Sequence, residues 1–175
     1  MEKNKSNDVF YREVQHFRQL WLWLLVLGIA GGTLYAMVQQ LILGTPFGNN
    51  PASDSVLIVI VIIFGFIFPV FFYLVNLTTE LRGDGLYYRF FPIHLSFQRI
   101  PLEDLKSCEA RTYRPLREYG GWGIRWGAKG KAYNVGGNRG VQLELINGSR
   151  ILIGSQRPEE LAQTIDMAMK RRAGS

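Results

Sequence analysis

Two uncharged apolar runs, Leu20 to Val38 and Val56 to Leu77, interrupt an otherwise mixed chain and predict a pair of membrane-spanning helices. At about 1.5 Å of rise per residue each crosses a hydrocarbon core of about 30 Å without burying an ionised side chain. The joining segment, 39–55, holds no Lys or Arg and is dense in turn formers from Gly44 to Pro51, so the helices are expected to form an antiparallel hairpin. Gly28 and Gly32 have the small-xxx-small spacing that permits close approach, with Gly65 to receive the facing helix. Pro69 removes a backbone donor and predicts a kink. A secretory signal is the rival for the first run, but the run exceeds the roughly 7–15 residues of a signal core and no clear small-residue cleavage site follows it.

After Leu77 the apolar period drops to two. Residues 78–82 and 86–91 flank Gly83-Asp84-Gly85 as a hairpin. Ile93, Leu95 and Phe97 alternate with His94, Ser96 and Gln98, which predicts a strand with one apolar face. Further strands are expected at 106–113, 141–145 and 150–153, the last two joined by an Asn147-Gly148 turn. Ser155 as a cap, Pro158 in the first turn and Glu159-Glu160 at the positive end of the dipole start a helix. Its Leu161, Ile165 and Met169 stripe would pack on the sheet, and Lys170, Arg171 and Arg172 suit its other end. The predicted fold is a membrane helical hairpin followed by a small antiparallel β barrel or sandwich with a C-terminal α-helix. Ahead of the first run, Val9, Phe10, Val14 and Phe17 recur at roughly helical spacing, either as an interfacial helix or as an extension of the first membrane helix. The expected divisions are a tail at 1–19, the hairpin at 20–77 with helices at 20–38 and 56–77, and a soluble domain at 78–175.

Charge orients the hairpin. Of the 20 basic residues, four precede the first run, none lies in the outer loop and the rest follow the second run. The positive-inside bias then puts both termini in the cytoplasm of a multi-pass cell-membrane protein. Segment 78–175 carries the whole net charge of +6. An anionic inner leaflet and nucleic acid both attract such a surface, but the basic residues are scattered without a recognition-helix pattern, which argues against nucleic acid. Cys108 is the sole cysteine and His16 and His94 the sole histidines, so neither an internal disulfide nor a Cys- or His-rich metal site is expected, and no cofactor is implied. The apolar runs contain no ionisable residue to relay a proton or ion, and they read as an anchor.

The order of the Gly83-Asp84-Gly85 hairpin, the Ile100–Leu105 connection, the Asn147-Gly148 hairpin and the Pro158-Glu159-Glu160-Leu161 helix start resembles the bacterial and archaeal pleckstrin-homology-like domains, many of which follow a pair of membrane helices. Tyr113-Arg114-Pro115, the stretch from Tyr119 to Arg125, Glu13-Val14-Gln15 and Arg18 are similar to a family of uncharacterised two-helix prokaryotic membrane proteins. That resemblance implies an architecture and no reaction.

The glycine-rich stretch 120–140 holds the candidate site. Trp122, Arg125, Trp126, Lys129 and Lys131 combine interfacial aromatics with cations, a pattern suited to phospholipid headgroups, with Arg125 and Lys129 as phosphate donors. The same residues also suit tight turns, barrel filling and ordinary surface. Gly127–Ala132 fails as a phosphate-binding loop, because Arg125 stands at the first glycine position and Ala132 at the Ser/Thr position. Glu103-Asp104 and Glu159-Glu160 suit a turn and a helix start better than a catalytic pair, and His94 suits a solvent-facing strand better than a general base. The leading functional expectation is a non-enzymatic adaptor that binds a protein partner or a second copy at the inner leaflet. The alternative is anionic-phospholipid sensing through the five residues, and an enzyme without a visible catalytic motif ranks third.

Overall fold

The computed structural model describes residues 8–127 and 129–173. Phe17–Val75 forms one compact unit, and the chain on either side of it forms the other.

The first unit is a pair of helices, α1 (Leu20–Ile42) and α2 (Asp54–Leu74), each long and apolar enough to cross a membrane. Their contact is built on Ala36, Leu57 and Val61, with Leu34 and Met37 packed against them. Gly65 lies at this contact, because a Cβ there would stand 3.4 Å from Thr33 Oγ1 and 3.7 Å from Leu34 Cδ2. Gly28 and Gly32 do not take part as their spacing suggested: a Cβ at either meets nothing within 4 Å. Ahead of Pro69 the helix widens into i→i+5 hydrogen bonding over Val61–Ile67, the wide turn that accommodates a missing donor and the proline ring. The loop is tied by Gln40, whose Nε2 donates to Ala52 O and Asp54 Oδ1, both at 2.8 Å. Helix α2 begins two residues earlier than its apolar run and ends at Leu74, since Asn76 and Leu77 already belong to a strand.

The second unit contains two sheets. The first runs in the order β1 (Val9–His16), β2 (Asn76–Arg82), β3 (Gly85–Phe91), β4 (Gln98–Pro101), all antiparallel. The second takes β5 (Leu105–Thr112), β6 (Gly123–Gly127), β7 (Gly130–Asn134), β8 (Arg139–Leu145) and β9 (Arg150–Gly154) in the order β5-β8-β9-β7-β6. Here β7 and β9 run parallel. Of the expected antiparallel barrel or sandwich, the described residues form no closed barrel; they form two separate sheets, and the second is mixed where an all-antiparallel arrangement was expected. A short helix α3 (Pro115–Tyr119) covers one face of the second sheet through Tyr113, Tyr119, Ala132 and Leu152. The C-terminal helix α4 (Pro158–Ala173) packs on β5 and β8 and buries Leu161 and Ile165.

Strand β1 replaces the helix expected ahead of the first apolar run. Tyr11, Glu13 and Gln15 point inward and are buried, a period of two that the polar Glu13 and Gln15 conceal from a hydrophobicity reading. Burial of Glu13 is tolerated because its carboxylate is fully used. It accepts from Ser155 Oγ at 2.6 Å, from the Gln156 N–H at 2.7 Å and from the Tyr11 hydroxyl. Ser155 Oγ in turn accepts from the Arg157 N–H at 3.0 Å, and Gln15 Nε2 donates to Gly154 O at 2.7 Å. Strand β1 thus seats the N-terminus of α4, and burial followed by the Glu13 bond pushes the Tyr11 hydroxyl well above its ordinary value.

The expected strand through Ile93, Leu95 and Phe97 is also corrected. Residues 92–97 form a turn and bend that leave β3 and return to β4, and Ile93 and Leu95 are exposed.

Candidate functional site

Neighbouring backbone approaches the β6–β7 hairpin so closely that two of its glycines are required. A Cβ at Gly130, where φ is +98°, would stand 2.1 Å from Arg150 O, and one at Gly127 would stand 2.0 Å from Glu118 O. This places Trp126 and Lys131 opposite each other, with Ile124 opposite Tyr133 on the same side. Lys131 Nζ lies 4.7 Å from the Trp126 ring centroid and 4.8 Å from that of Tyr133. Among the described residues no carboxylate is in ion-pair reach of this ammonium, so the aromatic faces are its partners. Trp126 is 72% exposed, an unusual state for the largest apolar side chain.

Behind this pair an aromatic cluster joins the two sheets. Tyr88 of β3 and Tyr133 of β7 have ring centroids 4.6 Å apart, and the Tyr88 hydroxyl donates to that of Tyr133 at 3.4 Å. His94, from the 92–97 turn, lies 5.7 Å from the Tyr133 ring and 6.3 Å from the Tyr88 ring. Burial, then the nearby Lys131 charge, hold the His94 imidazole below its ordinary value, so the neutral ring is favoured. Burial raises both tyrosine hydroxyls. His94 is not the solvent-facing strand residue its alternation suggested.

The other three predicted site residues go elsewhere. Alternation puts Arg125 on the opposite side of β6 with Ala132, and its Nε donates to Trp122 O at 2.9 Å. The Trp122 indole N–H donates to Gly137 O at 2.8 Å, which secures the turn after β7. Lys129 Nζ lies 3.4 Å from the Glu118 carboxylate, which also accepts from Arg111 and from the Arg114 N–H, both at 2.7 Å. Burial opposes ionisation of Glu118, but the Arg114 amide and the Arg111 and Lys129 charges together bring its carboxyl down to about 2. The structure therefore unites Trp126 and Lys131 and separates Trp122, Arg125 and Lys129 from them. Tyr88 and His94 were absent from the predicted set because packing between the two sheets brings them in from some 40 residues away. The only local sign was the concentration of aromatics from Tyr87 to Phe97.

A family model runs across residues 1–171, from ahead of β1 into the last turns of α4. The chain belongs to DUF6141, a family of unknown function. No curated protein matches it. Membership in DUF6141 covers Glu13, the helical pair and the Trp126–Lys131 hairpin as one unit of descent, and it assigns no reaction to any of them.

Proposed function

We propose that this DUF6141 chain is a non-enzymatic membrane module: α1 and α2 anchor it in the cell membrane with both termini cytoplasmic, and its β-rich unit is a pleckstrin-homology-like domain that binds anionic phospholipid headgroups. The observation that carries the reading is Lys131, a cation without a carboxylate partner among the described residues, lying against the rings of the exposed Trp126 and of Tyr133. An indole at headgroup depth beside an uncompensated ammonium suits a phosphate-bearing surface. The two sheets with a C-terminal helix support the pleckstrin-like comparison, and the cation-free outer loop supports the orientation. Binding is favoured over catalysis because the buried Glu13–Ser155 pair, which would attract a catalytic reading, is already engaged. Glu13 and Ser155 seat α4, and His94 packs on tyrosine rings.

The test is indole quenching by brominated lipid in full-length protein held in nanodiscs, compared with a Trp126→Phe variant. Trp126-specific quenching that strengthens with phosphatidylglycerol over phosphatidylcholine is expected. Its absence in both lipids overturns the headgroup site.

A second reading, an adaptor for a protein partner or a second copy, is favoured by β1. It is an edge strand, and its outward Phe10 and Val14 are 50% and 43% exposed. In-cell crosslinking from position 10 or 14 that recovers only the isolated chain would remove it.

A further inference from the structure

We propose that residues 92–97 form a lipid-inserting finger: Ile93 and Leu95 enter the acyl boundary of the leaflet in which the chain is anchored, and Arg89 and Lys131 meet the phosphates of anionic lipids on either side of it. This rests on the membrane-anchoring part of the proposed function; it shares Lys131 with the headgroup site, while its apolar tip at Ile93 and Leu95 is separate from Trp126.

Short stretches of chain tie the finger's root to both apolar helices. His16, Asn76 and Phe91 share one rung across β1, β2 and β3. Only Phe17, Arg18 and Gln19 separate that rung from α1, and only Val75 separates it from α2. With consecutive Cα atoms about 3.8 Å apart, these linkers are short against the size of a domain. The finger leaves the sheet at Phe91, from this same rung. Its Ile93 and Leu95 are 58% and 77% exposed. An exposed Leu is unremarkable alone, but two on one short turn at the rung tied to apolar helices form a local apolar tip. Transfer of such side chains out of water favours insertion about tenfold or more each.

The flanking cations supply the second, independent observation. On the outward face of the first sheet, Arg12 and Arg82 are paired with Glu80 at 3.4 and 2.7 Å, and Arg99 with Asp84 at 3.0 Å. Arg89 on the same face has no such partner among the described residues, and its Nε is buried without a hydrogen bond. Its guanidinium carbon instead lies 4.9 Å from the centroid of Phe97, at the finger's return, and 5.8 Å from that of Phe91, at its root. On the other side, His94 carries the finger onto Tyr133, whose ring Lys131 covers. Arg89 and Lys131, which have no carboxylate partner among the described residues, therefore flank an apolar tip, with cations suited to phosphate level and aliphatic groups to the acyl edge.

The test uses the full-length chain in nanodiscs, with Cys108→Ser as background and a nitroxide at Ile93→Cys, at Leu95→Cys, or, for comparison, at the equally exposed Ile146→Cys. Oxygen accessibility at positions 93 and 95 should exceed accessibility to an aqueous nickel chelate, with position 146 reading aqueous. Arg89→Glu and Lys131→Glu should each reduce the inserted fraction about fivefold in phosphatidylglycerol nanodiscs and have little effect in phosphatidylcholine. Labels at 93 and 95 as aqueous as that at 146 would overturn the finger, even where Trp126 is quenched and the headgroup site stands. Insertion at 93 and 95 without Trp126 quenching supports the finger and overturns only the headgroup site. Retention of the Tyr88–Tyr133 near-ultraviolet signal in each variant shows that the fold has survived.

Discussion

Lys129 and Lys131 lie two residues apart in one hairpin, yet they have opposite electrostatic surroundings. Lys129 joins Arg111 at the Glu118 carboxylate, so it shares an acid partner within the protein. Lys131, one strand position past the turn, lies against the rings of Trp126 and Tyr133 and has no carboxylate in ion-pair reach among the described residues. What separates them is which side of the hairpin supplies an acid: α3 brings Glu118 beneath Gly127, and among the described residues no acid reaches the other side. A count of basic residues therefore overstates the surface available to an anion. The useful quantity is charge left unpaired, because a cation already hydrogen-bonded to a carboxylate gains little from a phosphate.

The comparison is broken most severely by changing the turn that holds both lysines. Gly130→Ala places a methyl group against Arg150 O in a left-handed conformation, and a loss of about 3 kcal/mol is expected in thermal or denaturant unfolding of the full-length protein. A Gly130→Ala protein of unchanged stability would mean that the turn is relaxed and the close approach absent.

Glu118→Gln acts on one side alone. It leaves the mostly buried Arg111 guanidinium without its carboxylate and should cost about 2 kcal/mol, with faster hydrogen exchange across 111–119. The same change frees Lys129, so binding to phosphatidylglycerol nanodiscs should rise when stability falls. A fall in both would contradict the pairing.

Charge reversal compares the two positions directly. Lys131→Glu is expected to weaken anionic-lipid engagement about fivefold, and Lys129→Glu by less than about twofold, as read from Trp126 quenching against phosphatidylglycerol content. Equal effects would erase the distinction.

The smallest effects are in pH. The Glu118 carboxyl falls to about 2 from an ordinary 4.5, so its contribution is complete above about pH 5 and is lost as pH falls toward 2. The His94 value is lowered from 6.5, so the packed neutral ring contributes fully above that value and the contribution is lost as pH falls below it. Lys131 and Tyr133 from β7 and Tyr88 from β3 face that ring, and the Lys131 charge disfavours its protonation. Mild acid should therefore loosen 92–97 before it affects 111–119. Intrinsic-rate-corrected hydrogen exchange at pH 7, 5.5 and 4 checks the order, and simultaneous loosening would refute it.

The sequence by itself determined what depends on local order. Two charge-free runs specify helices long enough for a membrane, Gly83-Asp84-Gly85 and Asn147-Gly148 specify hairpins, and Ser155 with Pro158-Glu159-Glu160 specifies a helix start. Each signal lies within one helix or one strand pair. Tertiary structure decided whatever required distant residues to meet. Strand β1 exists because Glu13 and Gln15 find partners at 154–156, more than 130 residues away, and no local hydrophobic period announces that burial. The same holds for 92–97, where real apolar alternation yields a turn because the strand pairing on that side stops at Tyr88 opposite Gln98. Within the candidate site, composition gave Trp126 and Lys131 the same weight as Trp122, Arg125 and Lys129. Only the position of Glu118, the side of β6 that each residue faces and the arrival of Tyr88 and His94 from the other sheet separate them, since a charge is neutralised by what lies nearest in space.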